Sequence, residues 1–309
     1  MKVVRGTLNI PAALPYPVVA IGNFDGVHTG HQMIFRKTAD LARAHSGTSI
    51  AFTFEPHPLK IIAPEKVPPL LTNFRKKMEL IEVCGIDMVV CADFNRRFAD
   101  QHPRDFAKNV LAGRVGVKEI VVGFDYAFGK GREGTVDYLK KMGEEFGFII
   151  HVMEPIKVDG NLVSSSYVRE LIEEGDMETA ARFLGRPYSL IGPVVPGYKT
   201  GQTIGFPTAN IDTSKVKIPR TGVYAVRACL HNRVLDGAVN VGFNPTFNRD
   251  TLSVEVHLFD FREDIYGREI EVEFIRRIRD EKQFNSREEL IVQIEKDIET
   301  ARNILGEKH

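Results

Sequence analysis

Two histidines, His28 and His31, stand three residues apart around Gly30 in the stretch VVAIGNFDGVHTGHQ, residues 18–32. An apolar strand pattern runs into Gly22, Asn23, Phe24, Asp25 and Gly26, and a helical pattern follows near His31. Glycines let backbone approach a ligand closely. A helix amino end offers free N–H groups and a positive dipole end, suited to phosphate. Two imidazoles there could donate hydrogen bonds to a polyphosphate and stabilise charge on a pentacovalent phosphorus. That is phosphoryl-group chemistry by positioning and electrostatics, with no protein nucleophile. Two plainer readings stay open. The pair could bind zinc, with His57 as the obvious further ligand, or be ordinary polar residues at a helix start.

Two other stretches carry the same kind of chemistry. In VSSSYVRELIEEGD, residues 163–176, Ser164, Ser165 and Ser166 open a helical pattern with Arg169 one turn in. Hydroxyls, helix N–H groups and a guanidinium fork bind anions, although a serine cap with a solvated arginine has the same pattern. In GYKTGQTIGFPTANI, residues 197–211, Gly197, Gly201 and Gly205 permit a loop folded tightly over phosphates. Thr208 and Asn210 offer oxygen ligands that suit Mg²⁺. No lysine follows the glycines as a P-loop requires, and a surface loop is the alternative. Farther on, alternation in SVEVHL puts Val254, Val256 and Leu258 on one face of a strand and Glu255 and His257 on the other. On pattern alone Glu255 is the polar side of that strand.

The elements that position these residues fall into two textures. The first half alternates continuous apolar runs (PVVAIG, TSIAFTF, IDMVVCADF, KEIVVGF, FIIHVME) with helical patterns. That predicts a doubly wound parallel sheet. Its first strand carries the histidines at its carboxyl end, where such sheets bind ligands. Near residue 186 the texture changes to short strands between glycine and proline turns. These predict an antiparallel barrel or sandwich, closed by an amphipathic helix with Ser286 and Glu289 as a capping box. The expected domains are therefore 1–186 and 187–309, a comfortable division of 309 residues.

Charge narrows the partners. The chain has 41 basic and 41 acidic residues, divided as 24 against 23 up to Arg186 and 17 against 18 beyond it. Neither half has the basic excess of a general nucleic-acid binder. No apolar stretch approaches the ~18 residues of a membrane span, and prolines interrupt the N-terminal region where a signal peptide needs an apolar run. Three scattered cysteines, Cys84, Cys91 and Cys229, suit a reduced cytoplasmic protein. The expected partners are small molecules, with no nucleic acid or membrane. Oligomeric state is not readable.

These motifs carry a resemblance. His28-Thr29-Gly30-His31 resembles the His-x-Gly-His signature of the nucleotidylyltransferases, and the serine turn with Arg169 resembles their second signature. FTFEPHP, FNRRFA and VVGFDYAFGKGREG are similar to the prokaryotic bifunctional riboflavin kinase/FMN adenylyltransferase family. GFPTAN, VNVGFNPTF and LSVEVHLFDF resemble its kinase module. The resemblance covers nearly the whole chain.

It implies a Rossmann-like adenylyltransferase domain followed by a kinase barrel, with substrates riboflavin, FMN and ATP and with Mg²⁺. It implies that His28, His31 and Arg169 act on the triphosphate. Gly22, Asn23, Phe24 and Asp125 would line the nucleotide side together with the serines. Phe54, His57 and Pro58 would lie toward the flavin, where Phe54 is otherwise one more core phenylalanine. Thr208 and Asn210 would hold magnesium, and Glu255 would be the general base. Gln202 stands where many members carry a basic residue, and Ser166 where many carry threonine. Rival readings are a nucleotidylyltransferase with another acceptor, such as pantetheine phosphate or nicotinamide mononucleotide, and a flavin- or nucleotide-binding regulator.

Overall fold

The computed structural model of the chain describes residues 1–196, 204–213, 216–231, 233–243 and 252–306. Contacts divide it into two compact units, Met1–Pro69 with Phe74–Ser164, and Leu70–Asn73 with Ser165–His309.

The first unit is built on strands β1 (Lys2–Arg5), β2 (Pro17–Ile21), β3 (Thr48–Glu55), β4 (Met88–Asp93), β5 (Glu119–Gly123) and β6 (Ile149–Met153). They form one sheet in the order β1-β4-β3-β2-β5-β6, every pair parallel. The period-2 alternation of a strand sends neighbouring residues to opposite faces. Val19 and Ile21 of β2 join one core cluster with Leu111 and Leu139, and Val18 and Ala20 join the other with Phe35 and Ile81. Both faces are covered, which is why the strands read as unbroken apolar runs. The parallel sheet of the sequence reading is present, with one addition. The edge strand β1 has four residues, of which only Val4 is buried, too little for a pattern to reveal. The helix expected across residues 104–113 is extended as a π-helix, Phe106–Val115, ending at Gly116 with φ 66°.

After a two-stranded ribbon, β7 (Lys157–Val158) with β8 (Asn161–Leu162), the second unit begins with helices Ser165–Glu174 and Met177–Leu184. Its strands are β9 (Tyr188–Val195), β10 (Ala209–Ile211), β11 (Gly222–Leu230), β12 (Arg233–Phe243), β13 (Leu252–Leu258) and β14 (Glu269–Arg279). They close into an antiparallel barrel in the order β10-β13-β12-β11-β14-β9. Closure brings β9 against β10 so tightly that a Cβ on Gly192 would sit 2.0 Å from the Asp212 carbonyl oxygen. Tyr224, Val226, Val239, Val241, Val254, Val256 and Phe274 share the buried face. On the other face Ala225 and Ala238 receive Ala301, Ile304 and Leu305 of the closing helix Arg287–Gly306. That helix is capped as expected, the Ser286 hydroxyl accepting from the Glu289 N–H at 3.1 Å. The Glu289 carboxylate reaches one residue farther back, to the Asn285 N–H at 3.0 Å.

Candidate functional site

Strand order reverses at β2, which has β3 on one side and β5 on the other. The crevice beyond such a switch point is where open α/β sheets bind ligands. The loop leaving β2 is tightly wound: Phe24, Gly26 and Val27 have φ of 54°, 80° and 41°. Positive φ at a β-branched residue is sparsely populated backbone, found mostly where the surroundings over-determine it. Here the Phe24 side chain supplies that constraint. It is 1% exposed, packs on Phe35 at 4.5 Å and stands edge-on to His31 at 5.3 Å. A side chain so enclosed leaves its backbone as what Phe24 can offer a nucleotide. Gly22 is glycine for the same reason, since its Cβ would meet the Phe24 ring at 2.9 Å.

The helix begins two residues before His31, running Thr29–Ala44 with His28 as its N-cap. His28 Nδ1 accepts the His31 backbone N–H at 3.3 Å. An imidazole accepting at Nδ1 carries its proton on Nε2. The two rings stack at 3.6 Å with a 16° tilt. Gly30 is part of that geometry, because a Cβ there would lie 3.1 Å from the His28 ring. His31 Nδ1 is buried and has no hydrogen-bond partner among the described residues. Burial first, then the charges of His28 and Lys77, hold the His31 imidazole well below the ordinary histidine range. It is therefore neutral at working pH, at the positive end of a helix.

Asn23 and Asp125 follow the carboxyl ends of the adjacent strands β2 and β5, and Asp125 is exposed. Phe54 is half-buried against Phe52, Phe94 and Phe98 at 5.5–6.0 Å. His57 and Pro58 open the short helix Leu59–Ile62, with His57 Nδ1 accepting the Leu59 N–H at 3.3 Å. Among the described residues no three His, Cys, Asp or Glu side chains are placed to hold a metal ion, so the zinc reading gains no third ligand. Ser164 closes the first unit, while half-buried Ser165, exposed Ser166 and half-buried Arg169 belong to the helix opening the second.

In the barrel, β13 lies between β10 and β12, so Glu255 faces Asn210 on one side and Asn240 on the other. The Thr208 hydroxyl donates to Glu255 Oε2 at 3.5 Å. Burial pushes the Glu255 carboxyl above its usual range, against hydrogen bonds from Thr208 and Ser253. A raised carboxylate is the better proton acceptor. His257, two residues along the same face, donates from Nδ1 to the Pro207 carbonyl at 2.8 Å and so ties the Thr208 segment to β13. Gly205, with φ +94°, makes the turn before it. Gly197, Gly201 and Gln202 lie outside the described residues, as does the end of VNVGFNPTF.

Three contributors were not singled out from sequence: Lys77, Asn240 and Glu281. Lys77 donates to the Asn23 carbonyl from inside the α/β unit. The signal was a lysine at an inward position of an apolar helical stripe. Asn240 is read only through strand register. Glu281 Oε1 lies 1.9 Å from where a Gly242 Cβ would be, on the face that carries Ser253 and Glu255, and local pattern gave no sign of it.

Such a chain is a two-module phosphate-handling transferase: a nucleotidylyltransferase-type α/β sheet with its histidine pair at the switch point, then a barrel with a carboxylate among oxygen donors. The FAD synthetase family model matches residues 11–167 and the riboflavin kinase family model residues 184–305. The chain is 39% identical to the bifunctional riboflavin kinase/FMN adenylyltransferase of Escherichia coli (strain K12), over 99% of this chain and 98% of that one. It is 38% identical to the protein of the same name from Bacillus subtilis (strain 168), over 92% and 91%. A crystal structure described as a macrolide-efflux protein from Streptococcus pneumoniae aligns with TM-score 0.88 and 31% identity, over 98% of this chain and 99% of that one. That description is the neighbour's; no helix among the described residues here is long and apolar enough to cross a membrane. The chain belongs to the bifunctional riboflavin kinase/FMN adenylyltransferase family.

Proposed function

We propose that the barrel transfers the γ-phosphate of ATP to riboflavin, giving FMN, and that the α/β unit transfers AMP from a second ATP to FMN, giving FAD and pyrophosphate. The observation that carries this is the presence of two separate constellations, His28 with His31 in one compact unit and Glu255 with Thr208 in the other.

In the α/β unit a phosphate oxygen of FMN attacks the α-phosphorus, and the bond to the β-phosphate oxygen breaks. His28 donates from Nε2, and neutral His31 donates its one N–H, toward the charge that grows on the α-phosphoryl oxygens. Ser164 lies toward the phosphates, with the residue 22–24 backbone and Asp125 on the nucleotide side and Phe54, His57 and Pro58 toward the flavin; Ser165, Ser166 and Arg169, which the family resemblance gives to the phosphates, belong to the second compact unit. In the barrel Glu255 takes the proton of the ribityl 5′-hydroxyl as its oxygen attacks the γ-phosphorus, and ADP leaves. Thr208 and Asn210 present a hydroxyl and an amide oxygen, neutral hard donors that fit Mg²⁺ when substrate phosphates complete its shell. Bound there, the ion neutralises phosphate charge. The resemblance gives Gly197, Gly201 and Gly205 to phosphate binding; of these only Gly205 is among the described residues.

The modules, 1–186 and 187–309, act as separate catalysts. Cys84, Cys91 and Cys229 form no disulfide among the described residues, which suits work in a reducing cytoplasm. Mass spectrometry of products from riboflavin, ATP and Mg²⁺ tests the proposal: FMN should appear first and FAD after it. A chain that makes neither, or that adenylylates a different acceptor, contradicts it.

A further inference from the structure

Helix Phe74–Val83 turns Lys77, Met78 and Ile81 into the core, with Phe74 packed beside them. That spacing is the apolar stripe of an amphipathic helix, yet one of its places is a lysine 8% exposed. Burying an ammonium is unfavourable unless it is well partnered. Apolar side chains of similar volume at such places are commonly neutral or stabilising. Packing alone gives no reason for a lysine.

Its partners give one. Lys77 Nζ donates to the Asn23 carbonyl oxygen at 3.3 Å and to Thr53 Oγ1 at 3.4 Å. The Thr53 hydroxyl donates to the same carbonyl at 3.2 Å. Asn23 opens the loop whose next residues include Phe24 and Val27 at positive φ, and which ends at the His28 cap. Burial lowers the pKa of the ammonium most, and the charges of Glu55 of β3 and Asp25 of this loop oppose it. His31 feels that charge in turn.

We infer that Lys77 is a positioning residue for adenylyl transfer: through the Asn23 carbonyl its ammonium holds the 22–27 loop in the form that sets His28 and His31 against the α-phosphate. The inference rests on reading His28 and His31 as the adenylyl-transfer site. Lys77 acts through the Asn23 carbonyl and the Thr53 hydroxyl, the partners it has here.

The test compares full-length wild type, Lys77→Met, Lys77→Arg and the double variant His28→Ala/His31→Ala. FAD formation from FMN and ATP, FMN formation from riboflavin and ATP, and thermal unfolding are measured for each. Lys77→Met should fold with an unchanged or higher melting temperature and make FMN at the wild-type rate. Its kcat for FAD formation should fall about 10²-fold, the scale expected when catalytic groups shift by an ångström. KM for FMN should change little, as for groups acting at the transition state. Lys77→Arg, which keeps the charge, should recover much of the loss. Wild-type FAD turnover in a folded Lys77→Met chain overturns the inference. So does loss of fold, which would make the lysine a stability residue, or a Lys77→Arg chain as slow as Lys77→Met. If the histidine variant also keeps wild-type FAD formation, the site reading itself has failed; if only Lys77→Met does, Lys77 alone has been misread.

Discussion

In the α/β unit the side chains we propose for phosphate are two stacked imidazoles at a helix amino end. In the barrel they are a hydroxyl, an amide and a carboxylate whose pKa is raised by burial. The difference follows from the nucleophile each must handle. FMN brings a phosphomonoester, already ionised near neutral pH, so adenylyl transfer needs donors for developing charge and no general base. Riboflavin brings an alcohol, whose proton has to go somewhere as the phosphorus–oxygen bond forms. In the proposed mechanism a carboxylate held above its usual range receives it. On the proposed assignment, two phosphate transfers in one chain are served by groups of opposite character because one acceptor arrives charged and the other does not.

The largest way to break this comparison is at the histidines. Each donor to a transition-state oxyanion is typically worth about 10²–10³ in rate, so His28→Ala/His31→Ala should abolish measurable FAD formation in an FMN assay and leave FMN formation intact. At Glu255 the expected loss is about 10²–10⁴, roughly 3–5 kcal/mol of barrier. It should fall on the kinase alone in Glu255→Gln, read as FMN produced from riboflavin.

Smaller effects sharpen the boundary between the units. Contacts group the helices at residues 165–184 with the barrel: Lys217 pairs with Glu173 at 2.7 Å, Arg276 with Glu178 at 2.9 Å, and Phe183 and Leu184 are fully buried. Exposed ion pairs add little, whereas each large apolar side chain is worth about 1.5–3 kcal/mol. Fragments 165–309 and 187–309 should both phosphorylate riboflavin, the longer one unfolding at higher denaturant in an equilibrium titration. Gly30→Ala pushes a Cβ to 3.1 Å from the His28 ring and should lower FAD turnover by about tenfold, or ~1.4 kcal/mol, without touching FMN turnover. The smallest effect is in pH. If Glu255 is the general base, kinase activity requires it ionised and should fall as pH drops through a pKa raised by burial. Ser253→Ala removes a hydrogen bond that lowers that pKa. The acid limb of the riboflavin kcat/KM profile should therefore move to higher pH.

Much of this was legible in the residues. Five strands of the sheet announced themselves as apolar runs because both faces are buried. A helix start close to His31 was legible, two residues later than the helix begins, and alternation placed Glu255 and His257 on one face. What stayed hidden was set by tertiary structure. Strands β1 and β10 have four and three residues, too few for periodicity. Lys77 stands at an inward place of an apolar helical stripe, but that its partner is the Asn23 carbonyl is set only when the helix is docked. Register alone sets Asn240 across from Glu255. Nothing local says that the helices at 165–184 pack with the barrel that follows them.

The central claim, one chemistry per unit, is tested most directly by a crossed assay of the full-length chain. Wild type, His28→Ala/His31→Ala and Glu255→Gln are each given riboflavin with Mg-ATP, or FMN with Mg-ATP, and products are quantified by mass spectrometry. The account predicts that the histidine variant turns riboflavin into FMN and stops there. It predicts that the glutamine variant leaves riboflavin largely unconverted yet makes FAD from supplied FMN at the wild-type rate. Loss of both activities in either folded variant would contradict it.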